Sequence, residues 1–276
     1  MKEMLLLTCL ILLVFPVGSK VSEWKPARLP RKKHKFVVVA HRGNHVHAPE
    51  NTLEALENAI KAEVDYVEVD LRTTRDGQIV IMHDSSVDRM TDGKGKVVDM
   101  TFAEFRSLHI VDRRFPQRTP EPPPTFEEVL QHAEGKIHLY LDAKAVDPKQ
   151  VLELLRKYHM ERSVVVYCGN DEIEKWRKAA PKLPLMISPP DEAKSVEALE
   201  AFWKAHPVEI LDGGYFTYTR ENVSAAHLWR VEVWPDIQNP AENPKQWEKA
   251  LETGLQGLQT DHPEQLIAYL KQTKRR

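Results

Sequence analysis

Residues able to do acid–base and metal chemistry are concentrated in one short part of the chain. Five candidate residues of the stretch 41–84 are two histidines, two acidic residues and an arginine, most of them at the ends of short apolar runs. Histidine exchanges protons near neutral pH, and neighbouring carboxylates bind hard divalent cations such as magnesium or calcium. These five residues are His41, Arg42, Glu68, Asp70 and His83.

The apolar runs predict strands that bring these groups together. The β-branched run 36–40 ends directly before the first histidine, and 79–82 ends directly before the second. In the alternating run 66–70, strand periodicity places Glu68 and Asp70 on the same face. Two adjacent carboxylates are costly to bury unless a positive charge lies between them, and a divalent cation is one solution.

Each feature also has an interpretation without function. A histidine at a strand end is often only hydrogen bonded, and a Glu-x-Asp pair can be the solvated face of a sheet. Asp76-Gly77 is typical of a hairpin turn and nothing more. The occurrence of all these groups at successive strand ends favours a functional site.

The order and spacing of these residues resemble a known family. The blocks follow the signature of the glycerophosphodiester phosphodiesterases, closely over 41–84 and more loosely to about 270. The residues that carry the resemblance are His41-Arg42-Gly43, Pro49-Glu50-Asn51-Thr52, Glu68-x-Asp70, Thr74-x-Asp76-Gly77 and His83-Asp84.

The next predicted strand adds two groups to the site. Alternation in 139–144 places Asp142 and Lys144 on one face, beside Glu68 and Asp70. The resemblance implies that Asp142 is the third metal ligand and that Lys144 lies near the substrate phosphate. This chain departs from the family, which has a glutamate at the aspartate position. A simple Asp–Lys salt bridge without metal is the alternative.

These groups suit hydrolysis of a phosphodiester. A divalent cation, Ca²⁺ or Mg²⁺, together with Arg42 and Lys144 would neutralise the phosphate oxygens. His41 and His83 would act as acid and base, in an order that the sequence leaves open. The resemblance implies small glycerophosphodiester substrates, such as glycerophosphocholine, that yield glycerol 3-phosphate and an alcohol. The nucleophile is either water or the neighbouring glycerol hydroxyl.

Three other functions remain open. One is a phospholipase D-like enzyme acting on lysophospholipids or sphingomyelin, which needs an apolar lip around its site. Another is a non-catalytic phosphodiester-binding protein, although such a protein would not need both histidines. The third is a purely structural metal-binding barrel, which would not need Arg42 and Lys144. The insertion offers only Phe102, Phe105 and Leu108 as an apolar stripe, and these resemble the buried face of a short helix.

Several other residues receive weaker predictions. Trp234 is either a pocket wall or ordinary barrel packing. Asn51 and Asp171 are predicted helix N-caps, and Asp261 is predicted to cap the last helix rather than to contact substrate. His45 and His47 are predicted as solvated loop histidines near the site.

The succession of elements predicts the fold class. Eight strands alternate with helices over about 250 residues, which favours an α/β fold, a (β/α)₈ TIM barrel occupying 36–276. Residues 79–82 form either a ninth strand or part of an insertion that covers about 85–124, after the second strand. An open doubly wound sheet is the alternative, but no glycine-rich phosphate loop follows a strand.

The first residues predict export. A lysine, an apolar run over 5–17 and small residues predict a signal peptide over 1–19, followed by an exposed leader over 20–35. We therefore expect a periplasmic or extracellular protein with no membrane span after cleavage. The near-neutral charge gives no reason to expect nucleic acid as a partner. The remaining cysteine, Cys168, is predicted to be a buried thiol.

Overall fold

A barrel of parallel strands surrounded by helices makes up most of the molecule. The computed structural model describes residues 24–239 and 241–276, so the predicted signal peptide lies outside the described residues. Eight parallel strands alternate with helices in a nearly closed barrel, which confirms the predicted (β/α)₈ fold. No helix in the described part of the chain is long and apolar enough to cross a membrane.

The observed elements follow the predicted order. The strands are β1 (Val37–Ala40), β2 (Tyr66–Thr73), β3 (Ile79–Ile81), β4 (His138–Ala145), β5 (Val164–Tyr167), β6 (Leu185–Ile187), β7 (Ile210–Leu211), β8 (Glu232–Val233) and β9 (Gly257–Thr260). The helices are α1 (Leu53–Lys61), α2 (Phe102–Arg106), α3 (Phe126–Ala133), α4 (Pro148–Lys157), α5 (Ile173–Ala179), α6 (Val196–Ala205), α7 (Arg220–Leu228), α8 (Pro244–Leu251) and α9 (Pro263–Gln272).

Parallel pairing runs around the barrel in the order β8-β7-β6-β5-β4-β2-β1-β9. Between β8 and β9, the backbone N–H of Gln259 donates to the carbonyl of Pro235 over 3.0 Å, and Ile237 donates back to Gln259 over 3.0 Å. These bonds join the last two strands, so every barrel strand presents its carboxyl end at the same rim. That rim is where polar residues at strand ends converge.

Strand alternation builds two separate cores. Outward-facing residues such as Val38 and Val67 pack against the helices, while Val37, Val39 and Tyr66 fill the barrel interior. All of these side chains are buried, which explains why the strands read as nearly continuous apolar runs. Cys168 belongs to the outer core, as predicted.

β3 lies outside the parallel barrel and supports the insertion. It pairs antiparallel with β2 across the Asp76-Gly77 turn, so both the ninth strand and the hairpin are confirmed. Val80 of β3 and Phe105 of α2 belong to a small core of their own beneath the segment. The insertion is therefore a packed unit that stands next to the barrel mouth rather than a loose loop.

The leader crosses the opposite end of the barrel. Leu29 packs against the interior core, and Trp24 meets Trp203 edge to face with ring centroids 5.4 Å apart. The backbone N–H of Ala27 donates to Glu209 over 2.7 Å. Exposure is thus limited to one side of the leader, since Pro30 is buried while the neighbouring Arg31 is exposed.

A buried ion pair joins Asp65, the residue directly before β2, to Arg276. Arg276 Nη1 lies 2.5 Å from the Asp65 carboxylate, and both side chains are 1% exposed. Asp65 also accepts from the backbone N–H of Val38 over 2.9 Å and lies 2.8 Å from the ring of His34. One buried carboxylate therefore connects the leader, β1 and the C-terminus.

We predict that Arg276→Met lowers the free energy of unfolding by about 3 kcal/mol, because a buried carboxylate loses its full countercharge. Lys271→Met is the matched control, since Lys271 is exposed and only 3.5 Å from the exposed Glu63. Urea unfolding of the two variants measures the difference. Equal effects would mean that His34 and the backbone satisfy Asp65 without Arg276.

Candidate active site

Three carboxylates meet at the rim formed by β2 and β4. Glu68 and Asp70 project inward from β2, and Asp142 stands directly opposite Asp70 in the β2–β4 register. Oxygen atoms of all three lie within 4.8 Å of one another, and Glu68 and Asp70 are buried. The structure therefore brings together the three predicted metal ligands.

Two cations accompany the carboxylates. Lys144 Nζ lies 2.5 Å from Asp142 and 3.2 Å from Asp70, and Arg42 Nε lies 3.6 Å from Asp70. The side chains of Arg42 and Lys144 are largely buried. The Asp142–Lys144 salt bridge that the sequence offered as an alternative is present, but Lys144 contacts Asp70 as well. The salt bridge therefore does not separate Asp142 from the cluster.

The donor set fits a hard divalent cation. Burial, and then repulsion from Asp70 and Asp142, raises the pKa of Glu68 well above its usual range. Burial also raises the pKa of Asp142, against the opposing charge of Lys144. Asp70 Oδ1 is buried and makes no hydrogen bond, although Lys144 Nζ lies 3.2 Å from it. Closely spaced carboxylate oxygens with unmet charge are the coordination that calcium and magnesium prefer.

The loop after β1 is shaped to reach this cluster. Arg42 adopts a left-handed conformation (φ 50°), and its backbone N–H donates to Glu68 over 2.7 Å. The next residue must be glycine, because φ is 83° and a Cβ atom would lie 2.7 Å from that of Ala55. The His-Arg-Gly sequence thus lets the backbone turn under α1 while presenting two side chains to the site.

Asn51 has a different role from the predicted one. Thr52, not Asn51, caps α1 by accepting the N–H of Ala55. Asn51 is left-handed (φ 57°) and donates its amide to Asp70 over 2.6 Å. The capping prediction was wrong by one residue because both types are good caps, and only the fold shows that the asparagine is used at the site.

His41 is held by Asp261, which corrects another prediction. His41 Nδ1 lies 2.7 Å from Asp261 Oδ1, and His45 Nε2 lies 2.9 Å from the same oxygen. Burial opposes ionisation of Asp261, but the hydrogen bonds of His41 and His45 outweigh it and lower the pKa below its usual range. Asp261 does not cap α9, whose N-cap is His262, and His45 is not a solvated loop residue.

His83 is held in the same way. Its Nδ1 lies 2.7 Å from Asp84, and Arg72 fixes the backbone carbonyl of His83 through two hydrogen bonds. The insertion supplies Arg89, whose hydrogen bond is the largest cause of the lowered pKa of Asp84. Since a carboxylate only accepts, the neutral imidazole must carry its proton on Nδ1 and leave Nε2 free.

Arg89 also joins this histidine to Arg42. It makes two hydrogen bonds to Glu50, of 3.0 and 2.7 Å, and Arg42 donates to Glu50 over 3.0 Å. Burial would raise the pKa of Glu50, but Arg89 and Arg42 outweigh it and lower the pKa. The Glu50 of the Pro-Glu-Asn-Thr block is therefore a bridge between two arginines.

A second pair of acids lies at the ends of β7 and β8, with Asp212 buried and Asp236 partly buried. Burial, then the charge of Asp236, raises the pKa of Asp212 well above its usual range. Tyr140 donates to Asp212 over 2.8 Å, and Gln259 donates to Asp236 over 2.5 Å. The alternating pattern was too short in β7 and β8 to identify this pair from sequence.

Trp234 packs inside the barrel, and His47 lies on the surface. Trp234 is fully buried in the barrel interior, with its ring 5.0 Å from Tyr66. Lys32 of the leader lies over the same ring at 5.9 Å, which places Trp234 at the end opposite the rim. It is interior packing rather than a pocket wall. His47 is exposed and 3.2 Å from Glu264, as expected for a loop histidine.

Asp171, the last predicted cap, does not cap its helix. A 3₁₀ turn over Asn170–Glu172 precedes α5, and the residue at the N-cap is Glu172, without a side-chain cap. The short turn moves the N-cap one residue later than predicted, from Asp171 to Glu172.

The family profile described as "Glycerophosphoryl diester phosphodiesterase family" matches residues 41–265. A glycerophosphodiester phosphodiesterase of Caldanaerobacter subterraneus is 28% identical over 248 residues, which cover 84% of this chain and 97% of the relative. Glycerophosphodiester phosphodiesterase 1 of Bos taurus is 32% identical over 216 residues, 71% of this chain and 62% of the relative.

A solved structure shares the fold. The crystal structure of a glycerophosphodiester phosphodiesterase from Agrobacterium tumefaciens superposes with a TM-score of 0.73 at 26% identity, covering 84% of this chain and 99% of that one. The matched profile region contains every residue of the carboxylate cluster and both histidines.

We predict that calcium stabilises the protein more strongly as the pH rises. Because the pKa of Glu68 is raised on folding, the ion-free protein loses stability as the pH climbs from the ordinary value of 4.5 through the folded value. A bound cation replaces that proton, so at about 100 times its Kd it should raise Tm by about 5 °C at pH 8 and less at pH 5.5. Thermal unfolding with and without calcium measures this.

Two variants and a control make the measurement specific. Glu68→Gln should remove the pH dependence of the calcium-induced rise in Tm, and Asp142→Asn should weaken calcium binding. Glu153→Gln, an exposed change on α4, should leave both unchanged. Unchanged calcium affinity in Asp142→Asn would mean that Asp142 serves only Lys144.

Proposed function

Because this chain belongs to the glycerophosphoryl diester phosphodiesterase family, we propose that it hydrolyses small glycerophosphodiesters with His41 and His83 as acid and base beside a divalent cation. The chain is an enzyme, a phosphoric diester hydrolase with glycerophosphodiester phosphodiesterase activity. The products would be glycerol 3-phosphate and the alcohol of the head group.

One observation carries the assignment of the two histidines. Each donates Nδ1–H to a carboxylate, His41 to Asp261 and His83 to Asp84. This leaves Nε2 of each ring free to exchange a proton, and the carboxylate stabilises the imidazolium formed when that atom is protonated. Two separately held histidines meet the need of a reaction that takes a proton from a nucleophile and gives one to a leaving alcohol.

The charged groups at the rim suit the phosphate. Glu68, Asp70 and Asp142 would hold the cation, Ca²⁺ or Mg²⁺, which would supply Lewis-acid neutralisation of phosphate oxygens. Arg42 and Lys144 bring two further positive charges to the same rim. Anchored cations are stronger partners for a phosphodiester in a partly buried site than in water.

A lysophospholipid substrate is a second candidate, favoured by apolar side chains near the mouth. Val46 and Phe216 are exposed in the loops after β1 and β7, and Val111 is exposed in the insertion. By contrast, Phe105 of the suspected apolar stripe is fully buried and leaves no lip on α2. A non-catalytic binding protein would have no use for two histidines that each keep one ring nitrogen free.

One assay compares these functions. Glycerol 3-phosphate release is measured from glycerophosphocholine and glycerophosphoethanolamine, and choline release from lysophosphatidylcholine, each with and without chelator. We expect chelator-sensitive release of glycerol 3-phosphate. Preference for the lysophospholipid would support the phospholipase D-like alternative, and absence of any product would overturn the enzymatic assignment for these substrates.

We predict that His41→Ala and His83→Ala each lower kcat by roughly 10²–10⁴, the usual contribution of a positioned acid or base. Circular dichroism should stay close to that of the wild type, because neither ring belongs to the apolar cores. His47→Ala is the matched control on the surface. Near-wild-type turnover in either site variant would contradict the role of that histidine.

Export is proposed from the sequence of residues 1–19 alone. A charged start, a short apolar run and small residues are the layout of a signal peptide. We predict a mature N-terminus near Lys20 in the periplasmic or extracellular fraction. Mass spectrometry of the protein from cell fractions measures this, and an intact Met1 would contradict it.

A further inference from the structure

The carboxylate that holds His41 is shared with a second histidine outside the proposed catalytic pair. Asp261 Oδ1 accepts from both rings, 2.7 Å from His41 Nδ1 and 2.9 Å from His45 Nε2. The side chains of His41 and His45 are only 15% and 14% exposed. His45 is therefore enclosed next to the site rather than free in its loop.

The other nitrogen of His45 faces an arginine of the insertion. Arg114 Nη1 lies 3.4 Å from His45 Nδ1 and 3.4 Å from the His45 carbonyl oxygen. Asp112 holds the guanidinium through contacts from Nε and Nη2, of which the shortest is 2.7 Å. The side chain of Asp112 is 8% exposed, so this support is itself buried.

Arg114 and Asp261 contact the two ring nitrogens of His45, and their chemistry determines which of these nitrogens carries the proton. A guanidinium can only donate, so His45 Nδ1 must be the acceptor and His45 Nε2 must carry the proton. An ionised carboxylate can only accept, so Asp261 accepts hydrogen bonds from His45 Nε2–H and from His41 Nδ1–H. The Nε2 atom of neutral His41 is then the one ring position left with a free lone pair.

We propose that His45 is a positioning residue, held in one tautomer by Arg114, that limits how strongly Asp261 draws a proton to His41. This rests on the proposed role of His41 in phosphodiester hydrolysis. While His45 donates to the shared oxygen, part of the charge of Asp261 is neutralised. Without that donor, Asp261 would stabilise the imidazolium form of His41 more strongly and shift its protonation to higher pH.

Other charges around the two rings are few. Asp236 interacts with His41 from the end of β8, and Asp112 interacts with His45 from the insertion. Asp261 and Arg114 face the rings directly, as described above. Among the hydrogen bonds of the described residues, none of these groups adds a third donor to Asp261 Oδ1 beside His41 and His45.

The first test reads the histidine protons directly. In full-length protein with ¹⁵N-labelled histidine, long-range ¹H–¹⁵N spectra distinguish Nδ1–H from Nε2–H, with peaks assigned by their loss in His41→Gln and His45→Gln. We expect His41 as Nδ1–H and His45 as Nε2–H. In Arg114→Met, His45 should lose its fixed tautomer and show both Nδ1–H and Nε2–H signals, because the donor that faces Nδ1 is removed.

Arg113→Met is the matched control. It removes the same charge from the same exposed segment, and the described structure gives Arg113 no hydrogen bond or ion pair. It should leave both tautomers and the protonation midpoints unchanged. If Arg114→Met and Arg113→Met behave alike, only the general charge of the insertion matters and the proposal is overturned.

The second test uses catalysis and a conservative rescue. His45→Phe should lower kcat by about 10-fold, the usual effect of losing a group behind a catalytic one, with KM little changed. It should also move the His41 protonation midpoint to higher pH. His45→Gln keeps an N–H donor near the position of Nε2 and should recover most of the rate. Equal loss in Phe and Gln variants would overturn the proposal.

His41, His45 and Asp261 also lie close enough together to bind a metal ion. Zinc titration tests this possibility. Tight zinc binding that disappears in His45→Gln would show a metal site and overturn the tautomer assignment.

The spectra separate this inference from the proposed function. Unaltered His41 titration in His45→Phe with hydrolysis intact would defeat the inference alone. The expected spectra with no hydrolysis by wild type would defeat the function alone.

Discussion

Mutual repulsion of Glu68, Asp70 and Asp142 is the constraint on which the site depends. Carboxylates this close cannot all ionise in a buried position unless cations stand among them. Burial, and then the charges of Asp70 and Asp142, raise the pKa of Glu68 even though Arg42 opposes them. The neighbouring groups respond to this charge. The Arg42 backbone donates to Glu68, and the amide of Asn51 donates to Asp70, each from a residue in a left-handed conformation.

Both histidines depend on the insertion, although neither belongs to it. Arg89 holds Asp84 behind His83, and Arg114 reaches His45, which shares Asp261 with His41. Arginine is suited to this task because it is always charged and only donates. A segment with its own small core can hold such side chains firmly, which links the packing of Phe105 and its neighbours to proton placement at the barrel mouth.

The barrel interior has an aromatic end near the leader and an end rich in carboxylates at the rim. Tyr66 and Trp234 pack near the leader, whereas Asp70, Asp142 and Asp212 lie toward the carboxyl ends of their strands. Strand alternation explains both ends. Residues two apart on a strand point into the barrel on the same face, and the later residue lies nearer the rim. Burial of aromatic side chains at one end stabilises the barrel while the other end carries charge at the expense of stability.

The sequence by itself determined the barrel, the order of its elements and the meeting of Glu68, Asp70, Asp142 and Lys144 at one rim. Periodicity and position at strand ends are local properties, and each of these residues could be placed from its own strand. Only the tertiary structure decided what Asp261, His45, Asn51, Arg89 and Arg114 do. Asp261 is 220 residues from His41 and meets it because β9 pairs with β1. The local pattern predicted Asp261 as a helix cap, because capping depends on neighbours in the sequence. Its hydrogen bond to His41 depends instead on how the barrel closes.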